Sequence, residues 1–239
     1  MPKPVVAIFD VGKTNKKLLL FDEDYRVVFE KSAPIKETVD EDGDPCENLE
    51  SLKFGIIDSL HSAQTRKEFT IKAINFAAYG ASLVYIDDQG KTIAPLYNYL
   101  KAYPETLKKK FYDAYGGEAA FAFQTASPVL GSLNSGMQVY RIKREKPDLF
   151  RKIKYALHLP QYLSFLISGK AYSDMTSIGC HTNLWDFHNN NYHSWVSDEG
   201  ILEKLAPIAP SDKVITAGPY AVGIGIHDSS AAIVPYLKN

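Results

Sequence analysis

The start of the chain admits few folds. Val5 to Phe9, Leu18 to Phe21 and Tyr25 to Phe29 are apolar runs of strand length, separated only by Gly12-Lys13-Thr14-Asn15 and by Asp22-Glu23-Asp24. Glycine and short polar residues of this kind make turns. Joining parallel strands takes a crossover of a dozen or more residues, usually a helix, and the spacing leaves no room for one. The three runs are therefore expected to form an antiparallel meander.

Beyond it, Lys36 to Glu50 reads as a loop containing Asp-Gly-Asp-Pro. Leu52, Ile56, Leu60 and Ala63, flanked by Phe54 and Ile57, give a helical stripe. Ile71 to Ala78 and Leu83 to Ile86 read as strands, and Asp87-Asp88-Gln89-Gly90 turns the chain toward a third at Thr92 to Ala94. A helix from Pro104 to Tyr115 should stop at Gly116-Gly117, and one from Gly136 to Arg144 at Pro147. Tyr155 to Leu159 reads as a strand, Pro160 to Ile167 as a helix closed by Gly169, and Trp195 to Leu205 as another helix. Ala221 to Ile226 is a strand that runs into His227-Asp228-Ser229-Ser230 and a short apolar helix. This order predicts an α/β domain with a mixed sheet flanked by helices. The most economical fold of that kind is the ribonuclease-H-like domain of the actin, hexokinase and sugar-kinase superfamily.

Composition narrows the partners. A formal net charge of -1 provides no basic field for a phosphate backbone, so nucleic acid is not an expected partner. No apolar run approaches membrane-spanning length. Cys46 and Cys180 form no CxxC pair, and with no leader-like N-terminus the expected setting is the reducing cytoplasm. Nothing in the sequence fixes the oligomeric state, and a homo-oligomer is left open.

Two constellations carry chemistry. In Ile8-Phe9-Asp10-Val11-Gly12-Lys13-Thr14-Asn15 an acidic residue ends an apolar strand and a glycine turn follows. Such a turn gathers backbone N–H groups and a hydroxyl around an anion, with Asp10 placed to hold Mg²⁺ between phosphates. A P-loop is excluded, because Ala7 stands where its first glycine belongs and the turn leads into a strand. A plain hairpin with polar turn residues is the competing reading. In Val222-Gly223-Ile224-Gly225-Ile226-His227-Asp228-Ser229-Ser230, Asp228 ends a glycine-punctuated strand and opens a helix. A carboxylate there can accept the proton of an attacking hydroxyl, or simply cap the helix, and one residue can do both.

The stretches FDVGKTNKK, LPQYLSFLISGK, YSDMTSIGCHTNLWDF and GIGIHDSSAA together resemble the FGGY carbohydrate kinase family, in its rhamnulokinase and fuculokinase-like branch. The resemblance covers nearly the whole chain and implies that residues 1–239 are the N-terminal, sugar-binding domain of an ATP- and Mg²⁺-dependent kinase. It implies Asp228 as catalytic base and Asp10, Gly12, Lys13, Thr14 and Asn15 as the first phosphate and metal loop. Gly80 and Ala81 are implied to line the sugar pocket, small enough to leave room for a sugar that bulkier residues would exclude; Asn134 and His227 are further pocket candidates. The substrate implied is a ketose or deoxyketose such as rhamnulose, fuculose or xylulose. Family members carry a second, nucleotide-binding domain of similar size, and this sequence ends at Val234-Pro235-Tyr236-Leu237-Lys238-Asn239, about where that domain should begin. The missing C-terminal domain is thus an expected partner, and its contact surface is expected near Ile233, Val234 and Leu237. The rival expectation is a non-catalytic sugar-binding or regulatory module using the same pocket.

Other features read more plainly. His181, His188 and His193 match no common zinc spacing. Trp185 and Trp195 are expected in the core more than against a sugar.

Overall fold

The computed structural model describes residues 1–32 and 36–237. Strands β1 (Lys3–Val11), β2 (Lys16–Phe21) and β3 (Val27–Ser32) pair as the expected antiparallel meander. The third begins two residues late because Tyr25 takes a left-handed turn conformation, φ 59°. The stretch expected as a loop holds a short hairpin, β4 (Glu37–Val39) and β5 (Pro45–Glu47), whose turn is closed by the Asp40 side chain accepting the Asp42 and Asp44 N–H groups. Asn48 then caps helix α1 (Leu49–Gln64) by accepting the Ser51 N–H at 2.9 Å.

From α1 the chain enters β6 (Phe69–Ala78), which lies parallel to β1 at the centre of a seven-stranded mixed sheet. Strand β7 (Leu83–Ile86) pairs with β8 (Tyr155–His158) in a separate hairpin, and no strand forms at Thr92 to Ala94. There only Thr92 bridges Ile86, and Ile93 donates to the Tyr85 carbonyl. Between β7 and β8 lie α2 (Glu105–Ala114), α3 (Glu118–Thr125), α4 (Ser135–Glu145) and α5 (Pro147–Lys152). Helix α3 is unanticipated, and Pro147 opens a new helix as well as ending the old one.

Helix α6 (Leu159–Ser168), with Pro160 in its first turn and Gly169 at φ 66° behind it, packs on the sheet. It is followed by α7 (Met175–Ile178), the pair β9 (Trp185–Asp186) and β10 (Asn191–Tyr192), and α8 (Ser194–Asp198). The helix expected to run from Trp195 to Leu205 is broken at Gly200, φ 61°, and resumes only as a 3₁₀ turn at Leu202–Lys204. Strands β11 (Val214–Ala217) and β12 (Tyr220–Gly223) form the far edge of the sheet, and β13 (Ile226–His227) leads into α9 (Asp228–Ile233). The expected continuous strand from Ala221 to Ile226 is thus split. Gly225, at φ 82°, turns the chain where any Cβ would clash with the Pro160 carbonyl, while Asn75 Oδ1 accepts the Gly225 N–H.

Two cores follow from strand alternation. Val84 and Ile86 of β7 join the sheet core with Phe9, Leu18, Leu52 and Phe76, whereas Leu83 and Tyr85 point into a second core under the helices. That core is aromatic: the Phe111 ring has Tyr140 and Trp195 centroids each at 5.0 Å, and Trp195 donates to the Asn183 carbonyl at 2.7 Å. Trp195 and Trp185 are both buried structural residues. Among the described residues no helix is long and apolar enough to cross a membrane.

Candidate active site

The turn after β1 is anchored from below. Gly12 donates to the Asn15 carbonyl at 2.9 Å, and Lys16, the first residue of β2, donates to the Lys13 carbonyl at 2.7 Å. The same ammonium makes a buried ion pair with Glu47, whose other oxygen accepts the Tyr79 hydroxyl at 2.6 Å. Burial, and then the Glu47 charge, push the Tyr79 phenol well above its ordinary pKa, so it is a permanent donor to Glu47. Tyr79 is tied back to β1 by its N–H to the Val11 carbonyl. Above this base the Lys13 ammonium lies 5.8 Å from the ring centroids of both Tyr79 and Tyr99. Asp10 is exposed, and among the described residues its carboxylate has no hydrogen bond or ion pair.

Asp228 reaches the same end of the sheet by another strand. β1 and β13 both run parallel to β6 and flank it. Asp10 is in register with Ala77, while Val11 and His227 are both in register with Ala78. The carboxyl ends of parallel strands are where open α/β sheets hold ligands. Asp228 Oδ1 accepts the Ser229 N–H at 2.5 Å and stands 3.5 Å from His227 Nε2. His227 is itself fixed: its N–H donates to Thr176 Oγ1 at 3.0 Å, and its Nδ1 meets Ser230 Oγ at 3.2 Å. Burial lowers its pKa against the opposing pull of Asp228, leaving the ring neutral near pH 7. The Tyr99 hydroxyl feels both flanks of the site, its pKa raised by burial and then by Asp228 and Glu47.

The expected pocket residues fare differently. At Gly80 a Cβ would stand 2.7 Å from His227 Nε2, so the missing side chain makes space for the histidine. Ala81 is buried at φ 60°, its carbonyl accepting from Gln138 Nε2 at 2.5 Å. The Asn134 amide is fully buried and hydrogen-bonded to the backbone. It accepts the Leu130 N–H at 2.8 Å and donates to the carbonyls of Pro128 and His181 at 3.0 and 2.7 Å. His193 contacts Gln124 and caps α8. The carboxylates of Asp40, Asp42 and Asp44 converge, but the Lys101 ammonium lies 2.6, 2.7 and 3.0 Å from them and occupies the point where they meet, offsetting one of their three charges.

The sequence reading missed Tyr79, Tyr99, Lys16 and Glu47. Tyr79 directly follows β6 and adjoins Gly80, which was a usable signal; Glu47, 32 residues from its partner Tyr79, had none.

A mixed sheet flanked by helices in this order is the actin-like ATPase fold of the sugar kinases that the chain superposes on. Residues 5–219 match the FGGY family of carbohydrate kinases, N-terminal domain, and the chain belongs to that family. The match takes in the β1 turn and Gly80 and stops short of Asp228. The chain is 22% identical to a rhamnulokinase of Mannheimia succiniciproducens over 96% of its own length and 48% of that protein's. A carbohydrate kinase of Novosphingobium aromaticivorans superposes with a TM-score of 0.86 at 24% identity, covering 98% of this chain and 51% of that one. The glycerol kinase of Plasmodium falciparum, solved with ADP, gives 0.80 at 15% identity, over 98% and 50%. The chain thus spans about half the length of the relatives it matches.

Proposed function

We propose that this chain supplies the sugar-binding half of an ATP-dependent carbohydrate kinase, acting on a hydroxyl of a ketose or deoxyketose such as rhamnulose, fuculose or xylulose. The observation that carries the reading is the common exit of Asp10 and Asp228 at one end of the sheet, on the two strands that flank β6.

Asp228 accepts the proton of the attacking sugar hydroxyl as its oxygen bonds to the γ-phosphorus and the bond to the leaving ADP oxygen breaks. The Ser229 N–H holds that carboxylate, and the His227 ring packs beside it against Gly80. The Gly12–Asn15 turn donates to phosphate oxygens, with Lys13 adding positive charge that two aromatic rings keep in position. Mg²⁺, when bound, neutralises phosphate charge. The exposed, unpaired carboxylate of Asp10 fits it, because a hard cation takes oxygen ligands and commonly retains several waters. Little covalent work falls to the protein in such a transfer, so positioning and charge dominate.

A C-terminal half supplies the rest of the nucleotide site in this reading, and closure of the halves excludes water from the sugar. Ile233, Val234, Tyr236 and Leu237, all more than half exposed, are the surface we assign to that contact. Dependence on ATP is in keeping with a cytoplasmic enzyme. The rival is a sugar-binding or regulatory module without catalysis, but such a module has no use for a metal-fitting carboxylate beside a base.

The test is direct. The chain alone should bind one of the named ketoses in calorimetry and hydrolyse or transfer almost nothing, and addition of a C-terminal half should produce ketose-dependent ADP formation. Binding without turnover in the reconstituted pair would favour the rival.

A further inference from the structure

The loop after α7 carries a histidine that the fold orients at a cost and leaves unused. His181 has φ 43°, a conformation that residues with a Cβ rarely adopt, and Asn183 two positions on has φ 65°. The strained backbone is held at both ends. On one side Asn134 donates to the His181 carbonyl at 2.7 Å. On the other, Thr176 of α7 accepts the His227 N–H at 3.0 Å, and its carbonyl accepts Ser230 Oγ at 2.9 Å, which pins the loop's start to β13 and α9.

The ring so placed has no hydrogen bond among the described residues, and its Nδ1 is closed off from solvent without a partner. It is one of seven such side-chain atoms among the described residues, and each costs the folded state. Its surroundings are those of the site. Helix α7, which ends three residues before His181, packs on β13 and α9, the elements that carry His227 and Asp228.

We propose that His181 is a recognition group for the sugar, pairing with a hydroxyl next to the one that Asp228 activates. The inference rests on the ketose reading of the site. A neutral imidazole donates at one nitrogen and accepts at the other, and a sugar hydroxyl does both, so the two are matched in kind. Rotation of the ring on binding satisfies the nitrogen that the protein leaves unpaired. The unmet polar atom, a cost in the free chain, is then satisfied only with ligand present.

The experiment titrates rhamnulose, fuculose and xylulose into the 239-residue chain, followed by calorimetry and by the histidine ring resonances. Wild type should bind one of them with a shift of the His181 ring signals. His181→Gly removes ring and strain together, because glycine accepts positive φ. It should raise the melting temperature while weakening the sugar about tenfold, the size of one well-made hydrogen bond to a committed site. His181→Asn, which tolerates the left-handed region, should fold and bind with an intermediate affinity. Equal sugar affinity in wild type and His181→Gly, or unmoved His181 signals on binding, would overturn the role of His181 and leave the ketose site standing. Failure of the wild-type chain to bind any of the three overturns both.

Discussion

Nε2 of His227 lies 2.7 Å from the point that a Cβ on Gly80 would occupy. The two positions are 147 apart in sequence and share one volume beside Asp228. Gly80→Ala should therefore displace the His227 ring and cost about 1–3 kcal/mol in urea unfolding, as overpacking does. Because the lost space is specific, Gly80→Ala combined with His227→Ala should lose measurably less than the sum of the singles. Additive losses would show that the ring was free to move away.

The Lys16–Glu47–Tyr79 group is a buried support for the β1 turn. Removing one partner of a buried pair strands the other, so Glu47→Ala should destabilise by about 3–5 kcal/mol. Tyr79→Phe deletes one hydrogen bond and should cost about 1 kcal/mol. Equilibrium denaturation checks both, and the ordering of the two is the informative result.

Stability should fall in acid because of a buried histidine. Burial, with a smaller push from His227, drives His158 down from 6.5 to about 3, and its Nε2 meets Ser135 Oγ at 2.9 Å. Between those values the unfolded chain binds the proton and the folded chain does not, so stability is complete above about pH 6.5 and declines as pH falls toward 3. His158→Gln should flatten that slope in thermal melts taken from pH 7 to pH 4. An unchanged slope would assign the acid sensitivity to other groups.

What could be read from sequence followed from local pattern. The meander, the α1 stripe and β6 were legible because apolar spacing and turn residues agree there, and Asp10 and Asp228 were legible because each ends such a run. Breaks imposed from outside were not. Gly225 splits a strand only because the Pro160 carbonyl passes beside it, and Gly200 ends α8 early. Helix α3 follows Gly116-Gly117 so closely that the pair signals only a stop. The backbone contacts of Asn134 were not legible for the same reason, since its partners include a carbonyl 47 residues away.

The central claim is that Asp10 and Asp228 serve one phosphoryl transfer from two sides, and kinetics of the chain joined to a C-terminal half tests it most directly. With saturating ketose, Asp228→Asn should lower kcat by about 10²–10⁴, the usual worth of a positioned base, while the sugar dissociation constant changes little. Asp10→Asn should instead raise the Mg²⁺ concentration needed for half-maximal rate and leave sugar binding untouched. Retention of turnover by Asp228→Asn within a few-fold of wild type, at any Mg²⁺ concentration, would contradict the assignment of the base and with it the mechanism.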